Sequence, residues 1–251
     1  MQKPKLRDGK KRISNEPYSF SQIPSEIIYK LGAYFVYLLY IGRKDISGSD
    51  FGDAFAKAVG GAHLDSPVGI ADIVFDKMAW SAKTVKNIDP FKCANIRLIS
   101  GRCSPDYSYG ITDPHSDIEK TGRAVLEIYN ERINIAYDSY NAVRLVVLVR
   151  SLDLLSYTLF EIEAHRYRSS DYEWAVNPNG NLIGKHKESG KICFTWQPHG
   201  SQFTIHESVP QNAIKFKIKQ PPTITQEDIL KTLKFDETWV EILKMSENKR
   251  N

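Results

Sequence analysis

A carboxylate and a lysine lie close together in a part of the chain with strong β-propensity. Residues 69–75 read Gly-Ile-Ala-Asp-Ile-Val-Phe, and after a three-residue break residues 79–86 read Ala-Trp-Ser-Ala-Lys-Thr-Val-Lys. Two such runs around a short break predict a tight hairpin. With the turn centred in the break, Asp72 lies roughly opposite Ala82 and Lys83. This convergence suits a metal-dependent attack on a phosphodiester, in which a metal polarises the phosphate.

The flanking sequence predicts the elements that hold this hairpin. Helices are predicted over 25–41 and 51–59, and Gly60-Gly61 ends the second one. After the hairpin come a strand at 95–100, a long helix at about 116–137, a strand buried on both faces at 143–150 and a further strand at 156–164. The order is therefore helix, three strands, long helix, strand and strand.

From residue 172 onward, short β segments alternate with turn residues such as Asn-Pro-Asn-Gly at 177–180. This pattern predicts an antiparallel meander added to the first core. Two short helices are predicted near 225–233 and 237–245. The predicted divisions are a basic N-terminal arm (1–17), a core (18–170), a β-rich lobe (171–222) and the C-terminal helices (223–251).

Composition places the chain among soluble globular proteins, with 41% hydrophobic and 25% charged residues. The net charge of +4 arises in residues 1–12, so the remainder of the chain does not by itself indicate nucleic-acid binding. Three cysteines without CxxC spacing fit free thiols in a reducing cytoplasm. The apolar run at 31–41 is too short for a membrane span, which needs about 20 residues. We therefore expect a cytoplasmic protein with no membrane partner.

Asp72 and Ser81-Ala82-Lys83 on a central hairpin, within the order helix, three strands, helix and strand, resemble the PD-(D/E)xK nuclease superfamily. The resemblance covers about residues 45–165, and the chain length and β lobe are similar to those of a type II restriction endonuclease. It implies an α/β (α+β) fold with a restriction-endonuclease-like αβββαβ core. A mixed central sheet and an appended antiparallel β lobe are expected.

The resemblance also implies residue roles. Asp72 would bind Mg²⁺, the carbonyl of Ala82 would complete the metal shell, and Lys83 would orient or activate the attacking water. These roles agree with the chemistry of Mg²⁺, which takes carboxylate oxygens and keeps several waters. A nearby ammonium stabilises developing negative charge.

The sequence departs from the family pattern at two positions. Ala71 stands where proline is usual, and Ser81 stands where Asp or Glu is usual. A Ser-x-Lys sequence resembles a subgroup of restriction enzymes in which a helix carboxylate takes over. We therefore expect a replacement acid that serves as metal ligand and catalytic residue, first of all Asp53 on the helix before the hairpin. The other candidates are Asp50, Glu119 and Glu127.

DNA sequence is read by Arg, Lys, Asn and Gln side chains at base edges. Polar loops and the predicted lobe supply such residues, although Asn and Gly are also ordinary turn formers. The candidates are Arg102, Arg166, Arg168, Asn179, Lys185, Lys187, Gln197 and His199. His63, just before the hairpin, could touch the phosphate, but a loop histidine is more often structural.

By resemblance, the expected function is a Mg²⁺-dependent endonuclease that cuts double-stranded DNA at a short palindromic site. The enzyme would act as a homodimer in the prokaryotic cytoplasm, at the nucleoid. Two alternatives stay open: a structure-specific nuclease of repair or recombination, and a non-catalytic DNA-binding protein on a degenerate nuclease fold, which Ser81 allows. The chain has no Walker loop and no Gly-x-Gly-x-x-Gly sequence, so ATP or NAD dependence is not indicated.

Overall fold

A computed structural model describes residues 16–243, which form five α-helices and eleven strands in two sheets. The first half contains α1 (Ser25–Tyr40), α2 (Gly48–Val59), β1 (Ala62–Val68), β2 (Ala71–Phe75), β3 (Met78–Lys86), β4 (Asn95–Arg102), α3 (Pro105–Tyr109) and α4 (Ile118–Ser139). The second half contains β5 (Ala142–Arg150), β6 (Ser156–Glu163), β7 (Tyr172–Val176), β8 (Leu182–His186), β9 (Ile192–Gln197), β10 (Gln202–Ser208), β11 (Ile214–Lys217) and α5 (Gln226–Thr232).

The larger sheet has six strands in the order β1-β2-β3-β5-β6-β11. It is mixed, because β3 and β5 run parallel while the other neighbouring pairs are antiparallel. Parallel neighbours need a long crossover connection, and the 22-residue helix α4 lies in this one. The predicted strand at 143–150 is confirmed, and its near-continuous burial explains its run of valine and leucine.

The smaller sheet has five antiparallel strands in the order β4-β10-β9-β8-β7. Its inner side is aromatic and packs in one buried cluster with α4 and with one face of the six-stranded sheet. Phe194, Phe203 and Trp196 are buried there in one cluster with Val125 and Tyr129 of α4. The predicted combination of a mixed sheet and a separate antiparallel sheet is therefore confirmed.

The six-stranded sheet is covered on both faces. Helices α1 and α2 pack on one face, where Trp80 joins Phe35 and Phe55 in a buried cluster. Helix α4 and the five-stranded sheet cover the other face, against Leu145 and Val147. Since side chains alternate along β3, Trp80 and Ser81 point to opposite faces, and Ser81 shares the α4 face with Lys83.

A buried carboxylate fixes β3 beneath α1. Glu161 on β6 accepts hydrogen bonds from Trp80 Nε1 at 2.7 Å and from the Tyr18 hydroxyl at 2.9 Å. Arg144, only 4% exposed, lies 3.5 Å from the same carboxylate and 2.6 Å from Glu16. These partners offset the cost of burying the charge, which would be several kcal/mol for an isolated ion. The hairpin is thus held on a rigid support.

The two sheets do not follow the predicted divisions at residues 170 and 222. The predicted third strand forms as β4, but it pairs with β10 in the smaller sheet. The third strand of the larger sheet at the hairpin is instead β1, which pairs with β2 and which sequence reasoning missed. Strand β11, from the predicted lobe, pairs with β6 in the larger sheet. Strand pairing over long sequence separations is decided by packing, which local patterns do not encode.

The predictions for the two ends of the chain have different outcomes. Residues 1–15 of the predicted basic arm and residues 244–251 lie outside the described residues. The predicted helix at 225–233 forms as α5, whereas the one at 237–245 is reduced in the described chain to a 3₁₀ turn at Glu237–Trp239. None of the helices between residues 16 and 243 is both long and apolar enough to cross a membrane.

Candidate active site

The predicted hairpin is confirmed, with a register one residue away from the expected one. Met78 belongs to β3, so the turn has two residues, and Ile73 pairs with Trp80. This register places Asp72 beside Ser81 rather than opposite Ala82 and Lys83. The prediction was wrong by one residue because it assigned Met78 to the turn, whereas Met78 is buried and pairs with Phe75 as the first residue of β3.

Asp72 is held in a fixed orientation by the opposite strand. Its Oδ2 accepts hydrogen bonds from Ser81 Oγ at 2.9 Å and from the backbone N–H of Ala82 at 3.0 Å. Its Oδ1 accepts no hydrogen bond from residues 16–243. Ser81 is 2% exposed, so its hydroxyl orients the neighbouring carboxylate. One oxygen of Asp72 is thus free to take a ligand.

The backbone of Ala82 faces the same place. In a strand, the N–H and C=O of one residue point to the same side, as in the hydrogen-bonded pairs of an antiparallel ladder. Because the Ala82 N–H points to Asp72, its carbonyl oxygen also faces the β2 side of β3. Asp72 and the Ala82 carbonyl therefore offer two hard oxygen atoms at one position.

Lys83 lies on the α4 face of β3, half-buried and without a hydrogen bond or ion pair to any described residue. Burial lowers the pKa of this lysine, the charge of Arg132 lowers it further, and the charge of Asp72 opposes both. Arg132, which sequence reasoning missed, donates from α4 to the carbonyl oxygen of Ser100. Its position in a long amphipathic helix gives no sequence signal for this role. Lys83 is consequently a lysine in a partly dry setting, between the carboxylate of Asp72 and the guanidinium of Arg132.

A cleft of about 440 Å³ opens where α2 meets the hairpin. Asp72, Ala82 and Asp53 line it, so the structure brings together three residues that the sequence singled out. His63 also lines it, with Nδ1 2.7 Å from Asp53 Oδ1. Asp65, which sequence reasoning did not select, adds a third carboxylate at the rim.

The other candidate acids have structural partners elsewhere. Asp50 forms a capping box with Ser47 at the start of α2. Glu119 accepts a hydrogen bond from the backbone N–H of Trp174 at 2.8 Å, and Glu127 lies near Tyr109, where its charge adds to burial in raising the pKa of the tyrosine. Of the four acids considered as replacements for a carboxylate at position 81, Asp53 is the one that lines the cleft.

A second cleft of about 440 Å³ adjoins the first and shares Gly48 and Ala82 with it. Its lining is basic rather than acidic, because Lys83, Lys86 and Arg97 contribute to it. Lys86 is paired with Asp45 at 2.8 Å. Lys83 and Arg97 have no ion-pair partner among the described residues. Acidic and basic halves therefore meet at Ala82.

The predicted DNA-reading side chains do not reach either cleft. Arg166 donates to Asn134 on α4 at 2.8 Å, and Lys187 donates to the carbonyl oxygen of Ser170 at 2.8 Å. All eight predicted DNA-reading residues lie on the five-stranded sheet, in its loops or in the segment that leads into it. They are Arg102, Arg166, Arg168, Asn179, Lys185, Lys187, Gln197 and His199. Arg97, exposed on β4, lines the basic cleft and is a further cation that sequence reasoning missed.

The oxygen donors of the acidic cleft fit Mg²⁺. Within residues 16–243, no group of three or more His, Cys, Asp or Glu side chains has the spacing of a preformed metal site. Mg²⁺ does not require one, since it is usually held by one or two carboxylates with waters and substrate phosphates. The free oxygens of Asp72 and Asp53 and the Ala82 carbonyl are the donors in this cleft that would hold such an ion.

Comparison with known proteins assigns this chain to no family. It matches no protein-family model, and no curated protein or solved structure is significantly similar to it. Its function therefore has to be inferred from the residues of the two clefts.

Proposed function

We propose that this protein is a Mg²⁺-dependent endonuclease that hydrolyses double-stranded DNA at a short, specific and palindromic site. The observation that carries the proposal is the placement of an oriented Asp72 and an unpaired Lys83 on the same hairpin, with the Ala82 backbone between them. This is the arrangement that the resemblance to PD-(D/E)xK nucleases implies.

The order of elements supports the same proposal. The succession α2, β1, β2, β3, α4 and β5 has the αβββαβ order expected of a restriction-endonuclease-like core, with β4 and α3 inserted before α4. Asp72 and Lys83 lie on the second and third of these strands, in the middle of the sheet. The fold alone does not define a function, so the proposal rests on the side chains of the site.

Each residue of the site has a distinct task in hydrolysis. Asp72, the Ala82 carbonyl and Asp53 would hold Mg²⁺, which supplies Lewis-acid activation of the phosphate and of a bound water. Lys83 presents its ammonium to the attacking water and to the negative charge that develops on the phosphate. Ser81 keeps Asp72 in the required orientation. One P–O bond forms from water and one P–O ester bond breaks.

The basic cleft gives the DNA backbone a path away from the site. Lys and Arg side chains bind phosphates through charge, independently of base sequence. Lys83 and Arg97 both line this cleft, so a DNA strand in it would have both cations available for its phosphates. Two copies of the chain would act on one palindrome, because two-fold protein symmetry matches two-fold DNA symmetry.

Cleavage of phage-length duplex DNA tests the proposal. The purified protein is incubated with Mg²⁺ or with EDTA, and the Asp72→Asn variant serves as the matched control. We expect discrete DNA bands only when wild-type protein and Mg²⁺ are both present, and none with EDTA or with Asp72→Asn. Mapping the ends of the fragments would give the recognised site.

Other results would replace the proposal with one of the alternatives. Cleavage confined to junctions, flaps or single strands would identify a structure-specific nuclease. Intact DNA of every kind, with equal binding in Mg²⁺ and EDTA, would identify a non-catalytic DNA-binding protein.

A further inference from the structure

A glycine in the middle of α2 makes room for an imidazole. Gly52 is buried, and a Cβ built on it would lie 2.6 Å from His63 Nε2 and 2.8 Å from His63 Cε1. Glycine within a helix is less favourable than any residue other than proline. The helix therefore carries its least favourable residue, proline aside, at the point where the ring of His63 sits.

The same ring is held at its other side by the next residue of the helix. His63 Nδ1 lies 2.7 Å from Asp53 Oδ1, so Gly52 and Asp53 together seat the imidazole. His63 is on β1 and pairs with Ile73, the neighbour of Asp72. The ring thus connects α2 to β1, the strand that pairs with β2 and its principal acid Asp72.

This seat leaves one oxygen of Asp53 facing outward. The Asp53 side chain is 46% exposed, that of His63 is 23% exposed, and Asp53 Oδ2 accepts no hydrogen bond from residues 16–243. A pair of side chains near the surface contributes little to stability, because water competes for both partners. Stability is therefore a weak reason for a helix glycine and a histidine to fix this carboxylate.

We infer that His63 is a positioning residue that, seated on Gly52, holds Asp53 as the second metal-binding acid in place of a carboxylate at position 81. The inference rests on the proposed function and adds to it the residue pair that compensates for Ser81. Carboxylates that bind metals are commonly held in place by hydrogen bonds from neighbouring residues. Removing such a neighbour typically lowers metal affinity by about 10–100-fold.

Two replacements of His63 separate the hydrogen bond from the packing. His63→Phe keeps a ring on Gly52 but has no nitrogen to meet Asp53. His63→Asn loses the ring but keeps an N–H donor close to the position of Nδ1. We expect the affinity for Mn²⁺, measured by titration calorimetry on DNA-free protein, to fall about 10–100-fold in His63→Phe and to be largely retained in His63→Asn.

A glycine substitution tests the seat itself. Gly52→Ala should weaken Mn²⁺ binding as His63→Phe does, because the new methyl group displaces the ring. Gly32→Ala in α1 is the matched control, since its Cβ would meet only Ile218 Cγ2 at 3.6 Å. Thermal melts without metal establish that each variant is folded.

The outcomes separate this inference from the proposed function. Mn²⁺ affinity that is unchanged in His63→Phe and Gly52→Ala but lost in Asp72→Asn overturns the role of His63 and leaves the nuclease proposal standing. Wild-type protein that binds no Mn²⁺ overturns the inference. Binding that depends on His63 in a protein that leaves all DNA intact supports the inference and overturns the proposed function.

Discussion

The charged residues of the candidate site in the six-stranded sheet differ in their partners from those in the loops of the five-stranded sheet. In the six-stranded sheet, Asp72 and Lys83 lie half-buried in mid-sheet, and each keeps a polar group without a hydrogen-bond partner among the described residues. In the five-stranded sheet and its approach, Arg166 and Lys187 are bonded to nearby protein oxygens at the surface. Charges that are held in place but left unpaired are typical of functional sites.

The five-stranded sheet is instead built around aromatic packing. Trp174 on β7 lies so close to α4 that a Cβ on Gly122 would be 2.2 Å from its ring, and Glu119 of the same helix binds its backbone N–H. Helix α4 thereby links the smaller sheet to the face that bears Lys83. Under the proposed function, the larger sheet would carry the catalytic residues and the smaller sheet would support it through α4.

Replacing one lysine in each sheet should give the largest difference in DNA cleavage rate between the two sheets. Lys83→Ala should reduce the DNA cleavage rate by about 10²–10⁴-fold, the range for a group that assists proton transfer and charge stabilisation. Lys187→Ala, in the five-stranded sheet's loop, should change the rate by no more than a few-fold. Single-turnover rates with Mg²⁺ measure both. Equal rates for wild type and Lys83→Ala would remove Lys83 from the mechanism.

Removing the hydroxyl beside Asp72 should have a smaller effect. Ser81→Ala deletes one of two hydrogen bonds to Oδ2 and leaves the Ala82 N–H in place. We expect a loss of about 10–100-fold in cleavage, as for other groups that orient a metal ligand. The Mg²⁺ concentration for half-maximal rate should rise in parallel. A loss as large as that of Lys83→Ala would show that Ser81 acts directly.

Charge reversal would show which sheet surface meets the DNA backbone. Arg97→Glu in the basic cleft should weaken binding and reduce the slope of log K against log salt concentration by about 1 or more. Arg168→Glu is the matched control, because Arg168 lies just before β7, the strand at the opposite edge of the smaller sheet from β4. Binding measured in EDTA at several salt concentrations gives both slopes. A larger change in the control would favour the loops as the DNA path.

The smallest expected effect is on stability. The pKa of Lys83 is lowered mainly by burial, so the folded state binds fewer protons than the unfolded state and stability rises with pH. Lys83→Met in EDTA should therefore melt at a higher temperature than wild type, by about 2–4 °C for each kcal/mol gained. The difference should be largest at low pH and shrink as pH rises towards the ordinary lysine pKa. A lower melting temperature would contradict this assignment.

The local elements of the site were predictable, whereas its long-range partners were not. Strand periodicity and the short polar break were sufficient to predict the hairpin and the shared face of Ser81 and Lys83. Arg132 and Arg97 were missed because they reach the site only through the crossover of α4 and the transfer of β4 to the second sheet. Contacts of that kind depend on topology, for which a single sequence carries no local signal.

Replacing Asp72 tests the proposed Mg²⁺-dependent cleavage most directly. The rate of cleavage of one mapped duplex site is measured for wild type and for Asp72→Asn, with binding in EDTA as the control for folding and DNA contact. The account predicts cleavage that requires Mg²⁺ and is lost in Asp72→Asn, while binding is retained. Undiminished Mg²⁺-dependent cleavage by Asp72→Asn would contradict it.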